Sequence, residues 1–273
     1  MPPTFPRDVA AFAVDLDRTL IGPDLTLRPR TRNAIERVRA RGTHVIVVTG
    51  RMFQSVRPYL EQAGLDDPVV CYQGALVADP RSGAFLRHVP IPLPAARHAM
   101  EAVLEAGFHL NAYVGDELYV AEETPEAHAY ADLNKVEMHV VGDLRAWLRD
   151  EPTKLVAVGD PDALDALEAV LKPRFAGELF VSKSLPHFLE FAHPDVNKGA
   201  GLTFVADRLG FTAARTVACG DGENDRELLD WAGFAVAVAN AHEDILRRAD
   251  LVIPPVTEEG VASLLEAYLE SRA

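Results

Sequence analysis

Carboxylates and other polar residues follow three apolar runs of the sequence, each of a length typical of a buried strand. The three polar stretches are Asp15-Leu16-Asp17, Thr49-Gly50-Arg51 and residues 220–225. In an open parallel sheet, ligands bind outside the carboxyl ends of the strands. We therefore expect these three stretches to meet in one crevice.

Among the carboxylates of these stretches are four aspartates that would repel one another if packed together: Asp15, Asp17, Asp221 and Asp225. Neighbouring carboxylates raise one another's pKa unless a cation lies among them. Such a cluster suits a hard divalent cation, since proteins hold Mg²⁺ by one or two carboxylates together with substrate phosphate and water. Any one of these carboxylates could simply cap the helix after its strand, but three strand ends of this kind favour a metal site.

The other polar residues of these stretches, with one later lysine, suit a phosphate group. Thr49 offers a hydroxyl, and Gly50 permits close backbone approach at a turn into a helix, whose N-terminal amides favour anions. Lys198 opens a later predicted helix and supplies a positive charge for a phosphoryl oxygen, although a lone lysine is more often a surface residue. Two nucleotide-binding patterns fail, because the sequence has no G-x-x-x-x-G-K-[ST] and Gly220-Asp221-Gly222 lacks a third glycine.

Alternating strand and helix patterns must position these residues. We predict strands at residues 9–14, 44–48, 69–72, 216–219, 234–239 and 251–253, and helices at residues 30–41, 52–63, 197–209, 226–232 and 257–268. Such alternation indicates right-handed βαβ units. The pattern predicts an α/β fold with a Rossmann-like, doubly wound parallel sheet and helices on both faces.

The middle of the chain interrupts this alternation with a mixed α+β pattern. Helices are predicted at residues 95–106, 125–134 and 161–171, and strands at 108–114, 117–120, 154–158, 179–182 and 188–191. We expect a core domain of residues 1–82 plus 188–273. Residues 83–187 are expected to form an inserted α/β cap domain.

The composition excludes several classes of function. Of 273 residues, 48% are hydrophobic and 25% are charged, which excludes wholesale disorder. The net charge of −14 and the lack of any basic run longer than two residues argue against nucleic acid or a membrane as a partner. The start has no apolar stretch of signal-peptide length, and Cys71 and Cys219 are expected to be reduced thiols, so we predict a cytoplasmic location.

Four motifs in order resemble those of a known family. Asp15-Leu16-Asp17-Arg18-Thr19 is similar to the D-x-D-x-T signature of the haloacid dehalogenase-like (HAD) phosphatases. Thr49-Gly50-Arg51, Asn197-Lys198-Gly199 and residues 220–225 resemble the second, third and fourth motifs. The insert between the second and third motifs resembles the Cof-like subfamily, whose α/β cap lies at that place.

Two positions depart from the pattern of this family. Arg18 stands where the family commonly has glycine, so the turn after Asp17 is expected to differ. Gln73-Gly74 stands where the subfamily commonly has Asn-Gly, which bears on substrate contacts rather than on the chemistry.

The resemblance implies roles for the acidic residues. Asp15 would attack phosphorus and form an aspartyl-phosphate, and Asp17 would act first as a general acid and then as a general base. The carboxylates of Asp15 and Asp221, with the backbone carbonyl of Asp17, would hold Mg²⁺. Asp225 would support this metal site rather than bind the ion.

The resemblance also implies which residues bind the substrate. Thr49 and Lys198 would hold the phosphoryl oxygens, where positioning and charge stabilisation supply most of the catalysis. Gly50 and Asn224 would complete the substrate-binding set with Arg51, which could equally pair with a local carboxylate.

We therefore predict a Mg²⁺-dependent phosphatase acting on a small phosphate monoester, such as a sugar phosphate or a related metabolite. Two alternatives stay open: a phosphotransferase of the phosphohexomutase type, and a catalytically silent binding or regulatory module of the same fold. A bisphosphate requirement for turnover would separate the mutase from the phosphatase. Specificity is expected in the cap, where His187 and Lys154 are the first candidates.

Overall fold

The chain is described by a computed structural model, in which residue 6 and residues 8–272 are described. The start of the sequence, considered above for a leader, lies largely outside these residues. The described chain divides into two compact units. One contains the residues up to Gly50, Val56–Arg87 and those from Asn197 onward, and the other contains Arg51–Ser55 and His88–Val196. The second unit thus runs mainly over residues 88–196, whereas the sequence pattern predicts an insert at residues 83–187.

Strands and helices alternate along much of the described chain. The strands are β1 (Ala11–Val14), β2 (His44–Val47), β3 (Val69–Cys71), β4 (Leu76–Ala78), β5 (Phe85–His88), β6 (His109–Val114), β7 (Glu117–Val120), β8 (Met138–Val140), β9 (Lys154–Val158), β10 (Phe180–Leu185), β11 (Phe188–Ala192), β12 (Thr216–Gly220), β13 (Phe234–Val238) and β14 (Leu251–Ile253). The helices are α1 (Pro29–Arg39), α2 (Phe53–Ala63), α3 (Leu93–Glu105), α4 (Pro125–Asn134), α5 (Leu144–Trp147), α6 (Pro161–Arg174), α7 (Lys198–Leu209), α8 (Arg226–Trp231), α9 (Glu243–Arg248) and α10 (Gly260–Glu270).

A parallel sheet forms the centre of the first unit, with the strand order β14-β13-β12-β1-β2. Strand β1 lies between β12 and β2, and all four of its residues are buried. A parallel strand covered on both faces needs a continuous apolar run, which is the pattern that residues 11–14 show. The predicted α/β fold class with a parallel sheet is confirmed.

Strand β3 differs from its predicted place in the alternation. It pairs antiparallel with β4 in a three-stranded sheet of order β3-β4-β5. One parallel bridge, between Val48 and Val70, still joins it to the end of β2. Since the amide of Thr49 donates to the carbonyl of Val70 at 2.8 Å, this bridge fixes the backbone of the second motif.

Helix α7 packs closely against the loop after β3. The side chain of Asn197 caps the helix by accepting from the amide of Ala200 at 2.8 Å, so Asn197 precedes the helix instead of beginning it. A Cβ on Gly201 would lie 2.4 Å from Val70 and 2.9 Å from the Cα of Gly74, so only glycine fits at this crossing.

The last helix begins three residues later than predicted. Residues 256–258 form a 3₁₀ turn, and Glu259 adopts a left-handed conformation with φ of 55°, so α10 begins at Gly260. A Cβ on Gly260 would lie 1.9 Å from the carbonyl oxygen of Pro254, which requires glycine at this helix start.

The second unit is built on a six-stranded sheet of order β10-β11-β9-β6-β7-β8. All of its pairs are antiparallel except β7 with β8. Alternate strand residues such as Leu110, Leu155 and Phe191 form one hydrophobic core with residues of α3 and α6. The sequence pattern of α6 predicts an apolar stripe of Leu164, Leu167, Val170 and Leu171. The three leucines are buried, whereas Val170 is 65% exposed.

Candidate active site

Three carboxylates meet at the carboxyl ends of two neighbouring parallel strands. Val14 at the end of β1 lies opposite Cys219 in β12, and the amide of Asp15 donates to the carbonyl of Cys219 at 2.9 Å. This register brings Asp15 beside the stretch that holds Asp221 and Asp225. Carboxylate oxygens of these three residues lie within 4.8 Å of one another.

A buried ammonium group lies between two of these carboxylates. The Nζ atom of Lys198 donates to Oδ1 of Asp15 at 2.5 Å and to Oδ1 of Asp225 at 2.6 Å. Lys198 is 1% exposed, so it is not the surface lysine of the alternative interpretation. Burial alone would lower the pKa of Lys198, but the two carboxylates outweigh burial and raise it. The lysine is therefore a fixed positive charge in this site.

The turn after β12 is folded around the carboxylate of Asp225. Its Oδ2 accepts from the amides of Asp221 at 2.9 Å and Gly222 at 3.0 Å, while Oδ1 accepts from Lys198. A Cβ on Gly220 would lie 2.5 Å from the Asp225 side chain, so glycine is required there. Both oxygens of Asp225 are thus engaged by the protein itself.

Two carboxyl groups of the site, those of Asp15 and Asp221, have raised pKa values. Burial raises the pKa of Asp15 well above its ordinary value; Lys198 opposes this shift, and Asp225 and Asp221 add to it. Burial, followed by repulsion from Asp225, raises the pKa of Asp221 to about 6. A cation bound among these carboxylates would favour their ionised forms.

The turn that follows Asp15 brings a second cation to the site. Arg18 adopts the left-handed conformation with φ of 62°, and its amide donates to the carbonyl of Ile21 at 2.8 Å. Glycine adopts this conformation without strain, whereas other residues do so at a cost. Here the Nε of Arg18 lies 3.4 Å from Oδ2 of Asp221, and the Thr19 hydroxyl lies 3.4 Å from Oδ1. Asp17, in the same turn, is half-buried.

Gln73 connects two of the predicted substrate-binding loops. Its amide donates to the carbonyl of Thr49 at 3.0 Å, and its Oε1 accepts from Nδ2 of Asn224 at 3.1 Å. A Cβ on Gly50 would lie 2.4 Å from Nε2 of Gln73. Gln73 and the preceding Tyr72 are both left-handed, with φ of 57° and 50°. In the sequence, Gln73 stands out only as a departure from the subfamily pattern. Its contacts with both Thr49 and Asn224 were not predicted.

Three predicted residues lie in the second unit and are described there. Arg51 donates from Nη1 to the hydroxyl of Ser55 at 3.2 Å. Lys154 is 6% exposed, and its Nζ lies 3.1 Å from Oε1 of Glu190. His187 is exposed and donates from Nδ1 to the carbonyl of Gly159 at 3.2 Å. The contacts described for Lys154 and His187 are therefore made within the second unit itself.

None of the helices in the described part of the chain combines the length and the apolar character that crossing a membrane requires.

Comparisons with known proteins agree with this architecture. A crystal structure of a haloacid dehalogenase-like hydrolase from Bacteroides thetaiotaomicron superposes with a TM-score of 0.88 at 25% identity, covering 94% of this chain and 98% of that one. The 5-amino-6-(5-phospho-D-ribitylamino)uracil phosphatase YitU of Bacillus subtilis is 29% identical over 261 residues, 94% of this chain and 96% of its own. The pyridoxal phosphate phosphatase YbhA of Escherichia coli is 28% identical over 282 residues, 94% of this chain and 98% of its own.

The family match spans nearly all of the chain. A family model described as haloacid dehalogenase-like hydrolase matches residues 12–265, which include all four motifs and the insert. This match and the named phosphatases among the relatives confirm the predicted enzyme class, a HAD-like phosphatase. The carboxylates and the lysine gathered at the ends of β1 and β12 are therefore those of a haloacid dehalogenase-like hydrolase of the Cof type, and the chain belongs to that family.

Proposed function

We propose that the protein is a cytoplasmic, Mg²⁺-dependent phosphatase that hydrolyses a small phosphate monoester, such as a sugar phosphate or a related metabolite. One observation carries the proposal: Lys198 binds Asp15 and Asp225 in a buried site beside Asp221, at the carboxyl ends of the parallel strands. Relatives named for pyridoxal phosphate and for a phosphorylated ribitylaminouracil support a small phosphorylated substrate.

Asp15 is the proposed nucleophile. Its carboxylate oxygen forms a bond to phosphorus as the bond from phosphorus to the ester oxygen breaks, which leaves an aspartyl-phosphate and an alkoxide. The contact of 2.5 Å with Lys198 orients the carboxylate and favours its ionised form. Water then attacks phosphorus, and inorganic phosphate leaves with Asp15 restored.

Asp17 is the proposed general acid and base. It lies two residues after Asp15 and is half-buried in the turn that Arg18 and Ile21 close. Its proton passes to the leaving alkoxide in the first step, and its carboxylate removes a proton from the attacking water in the second. Both transfers return Asp17 to its starting protonation state.

The oxygen ligands of the site fit Mg²⁺. Asp15 and Asp221, together with the backbone carbonyl of Asp17, would hold the ion, since Mg²⁺ prefers oxygen ligands. Asp225 is assigned a supporting role, because both of its oxygens already accept hydrogen bonds from the protein. When bound, Mg²⁺ supplies positive charge that offsets the charge of the phosphoryl group.

The remaining residues bind the substrate. Thr49 and Lys198 hold the phosphoryl oxygens, and Gly50, Arg51 and Asn224 complete the substrate-binding set. The close packing of Gly50 against Gln73 supports a fixed backbone at that position. We propose further that residues 83–187 act as a cap that selects the leaving group.

A screen of phosphorylated metabolites tests this function. The purified protein is incubated with each compound and Mg²⁺, and released phosphate is measured. We expect at least one small phosphate monoester to be hydrolysed, and the Asp15→Asn variant to lose several orders of magnitude in rate. We also expect a hydroxylamine-sensitive phosphoenzyme in the unaltered protein but not in this variant. Equal phosphate release by both proteins would contradict covalent catalysis through Asp15.

A further inference from the structure

The helix that follows the second motif lacks a capping residue of its own. Helix α2 begins at Phe53, and the residue before it is Met52, whose side chain has no oxygen to accept a hydrogen bond. The first amides of a helix have no partner inside the helix, and a side-chain oxygen at the N-cap usually satisfies one of them. This helix start therefore needs an acceptor from elsewhere in the chain.

Asp116 supplies that acceptor from a position 63 residues further along the chain. Its Oδ1 accepts from the amide of Phe53 at 2.8 Å, and its Oδ2 accepts from the amide of Gln54 at 2.8 Å. The side-chain amide of Gln54 donates in return to the backbone carbonyl of Asp116 at 2.9 Å. Asp116 is 3% exposed. Asp116 thus binds the first turn of α2 by three hydrogen bonds, two to its buried carboxylate and one to its backbone carbonyl.

The turn that carries Asp116 is shaped for this contact. Gly115 and Asp116 are the two residues between β6 and β7, and Val114 pairs with Glu117 across them. Both turn residues are left-handed, with φ of 62° and 66°, as two-residue hairpin turns of type I′ require. Aspartate tolerates this conformation better than most residues, so this turn can carry the carboxylate that binds α2.

A second contact holds the same segment. The hydroxyl of Ser55 donates to the carbonyl of Asn134 at 2.9 Å and accepts from Nη1 of Arg51 at 3.2 Å. Asn134 is the last residue of α4. Together with the Asp116 bonds, this contact accounts for the grouping of Arg51–Ser55 with His88–Val196 in one compact unit.

We infer that Asp116 is a positioning residue for the second motif. By capping α2 it fixes the backbone at Arg51, two residues before the helix. The inference rests on the proposed function, in which Arg51 belongs to the substrate-binding set. Such a contact acts on ground state and transition state alike, so its loss raises KM more than it lowers kcat.

The test compares two caps of the same unit. Asp160 is the exposed N-cap residue of α6, and its Oδ1 accepts from the amides of Asp162 at 3.0 Å and Ala163 at 3.2 Å; it lies outside the proposed active site. Asp116→Asn and Asp160→Asn each replace a carboxylate by an amide that can accept but carries no charge. Asparagine also tolerates the left-handed turn, so Asp116→Asn keeps the hairpin.

We expect Asp116→Asn to raise KM and the inhibition constant of inorganic phosphate about tenfold to a hundredfold, with kcat changed less than either. Asp160→Asn should leave all three constants within about twofold of the unaltered protein. Equal changes in the two variants, or no change in the Asp116 variant, would overturn the inference.

Hydrogen exchange provides a readout that does not depend on activity. The amides of Phe53 and Gln54 should exchange at least about tenfold faster in Asp116→Asn and at the unaltered rate in Asp160→Asn. Binding of inorganic phosphate, measured by calorimetry, should weaken only in the Asp116 variant. If the protein hydrolyses no phosphate ester yet shows both effects, the proposed function fails while the positioning role stands. Unchanged exchange in Asp116→Asn would refute the positioning role whatever the activity.

Discussion

Replacement of Lys198 by methionine would leave two buried carboxylates without their shared cation. Methionine has a similar length and no charge, so Lys198→Met removes the contacts to Asp15 and Asp225 with little change in volume. Removal of one partner from a buried ion pair costs about 3–5 kcal/mol, because the other charge stays buried and uncompensated. We expect a loss of this size in the free energy of unfolding at pH 7.5 without metal.

The loss should depend on pH with a definite sign. Burial already raises the pKa of Asp15 in the folded protein, and removal of Lys198, which opposes that shift, raises it further. A carboxyl group whose pKa is higher in the folded than in the unfolded protein does not lower stability below its unfolded pKa of about 4. As the pH rises from there toward the folded pKa, the group lowers the free energy of unfolding more and more. One carboxylate changes stability by at most about 1.4 kcal/mol per pH unit, so the loss caused by Lys198→Met should be larger at pH 7.5 than at pH 4.5.

Urea denaturation followed by circular dichroism measures this effect at pH 4.5, 6.0 and 7.5. Lys154→Met is the matched control, since Lys154 is also buried and pairs with one carboxylate, Glu190, at 3.1 Å in the second unit. Both variants should lose stability at pH 7.5, but added Mg²⁺ should restore stability only in Lys198→Met, where it can replace the missing charge. A loss below about 1 kcal/mol in Lys198→Met, or an equal loss at pH 4.5 and 7.5, would refute the reasoning.

Three further predictions concern catalysis. Asp17→Asn should slow both formation and hydrolysis of the phosphoenzyme by about 10²–10⁴ in rapid-quench experiments, and a change confined to KM would argue against an acid–base role. Chelation should abolish activity and Mg²⁺ should restore it. Because the pKa of Asp221 is raised to about 6, Mg²⁺ should bind more weakly at pH 5 than at pH 7.5. Equal Mg²⁺ affinities at the two pH values, measured by calorimetry, would contradict this. Gln73→Ala, which removes the bond to Asn224, should lower kcat/KM about tenfold, as expected for a positioning contact. Gln73→Asn should recover part of this loss, and identical values for the two variants would show that the amide has no role.

Local sequence patterns were sufficient to predict most elements of the fold. The bounds of β9 (Lys154–Val158), α4 (Pro125–Asn134) and β14 (Leu251–Ile253) agree with those read from the sequence. Strand β8 and helix α5 were missed, because each has only three or four residues and neither shows a hydrophobic period. Their formation depends on neighbours such as β7, which a local pattern does not contain.

The sequence predicted that strand-end carboxylates would lie together, but it did not predict the charges around them. The strand ends located Asp15 and Asp221, since parallel neighbours place their following residues at one edge of the sheet. The burial of Lys198 was not predictable in this way, because the sequence around a buried lysine can be the same as that around an exposed one. Its burial follows from the start of α7, which brings the ammonium group within 2.6 Å of carboxylates that are 183 and 27 residues away in the chain.

Left-handed residues mark the contacts that the sequence analysis did not find. Arg18, Tyr72, Gln73 and Asp116 all have positive φ without being glycine, a conformation that costs most residues about 1 kcal/mol or more. Each lies in a turn that reaches a functional segment, and the surrounding hydrogen bonds hold it there. Asp116 binds backbone amides, which every residue except proline has, so the sequence of α2 does not indicate which residue caps it. The pattern at residues 52–63 therefore predicts the helix correctly, while the carboxylate that begins it comes from a hairpin 63 residues away.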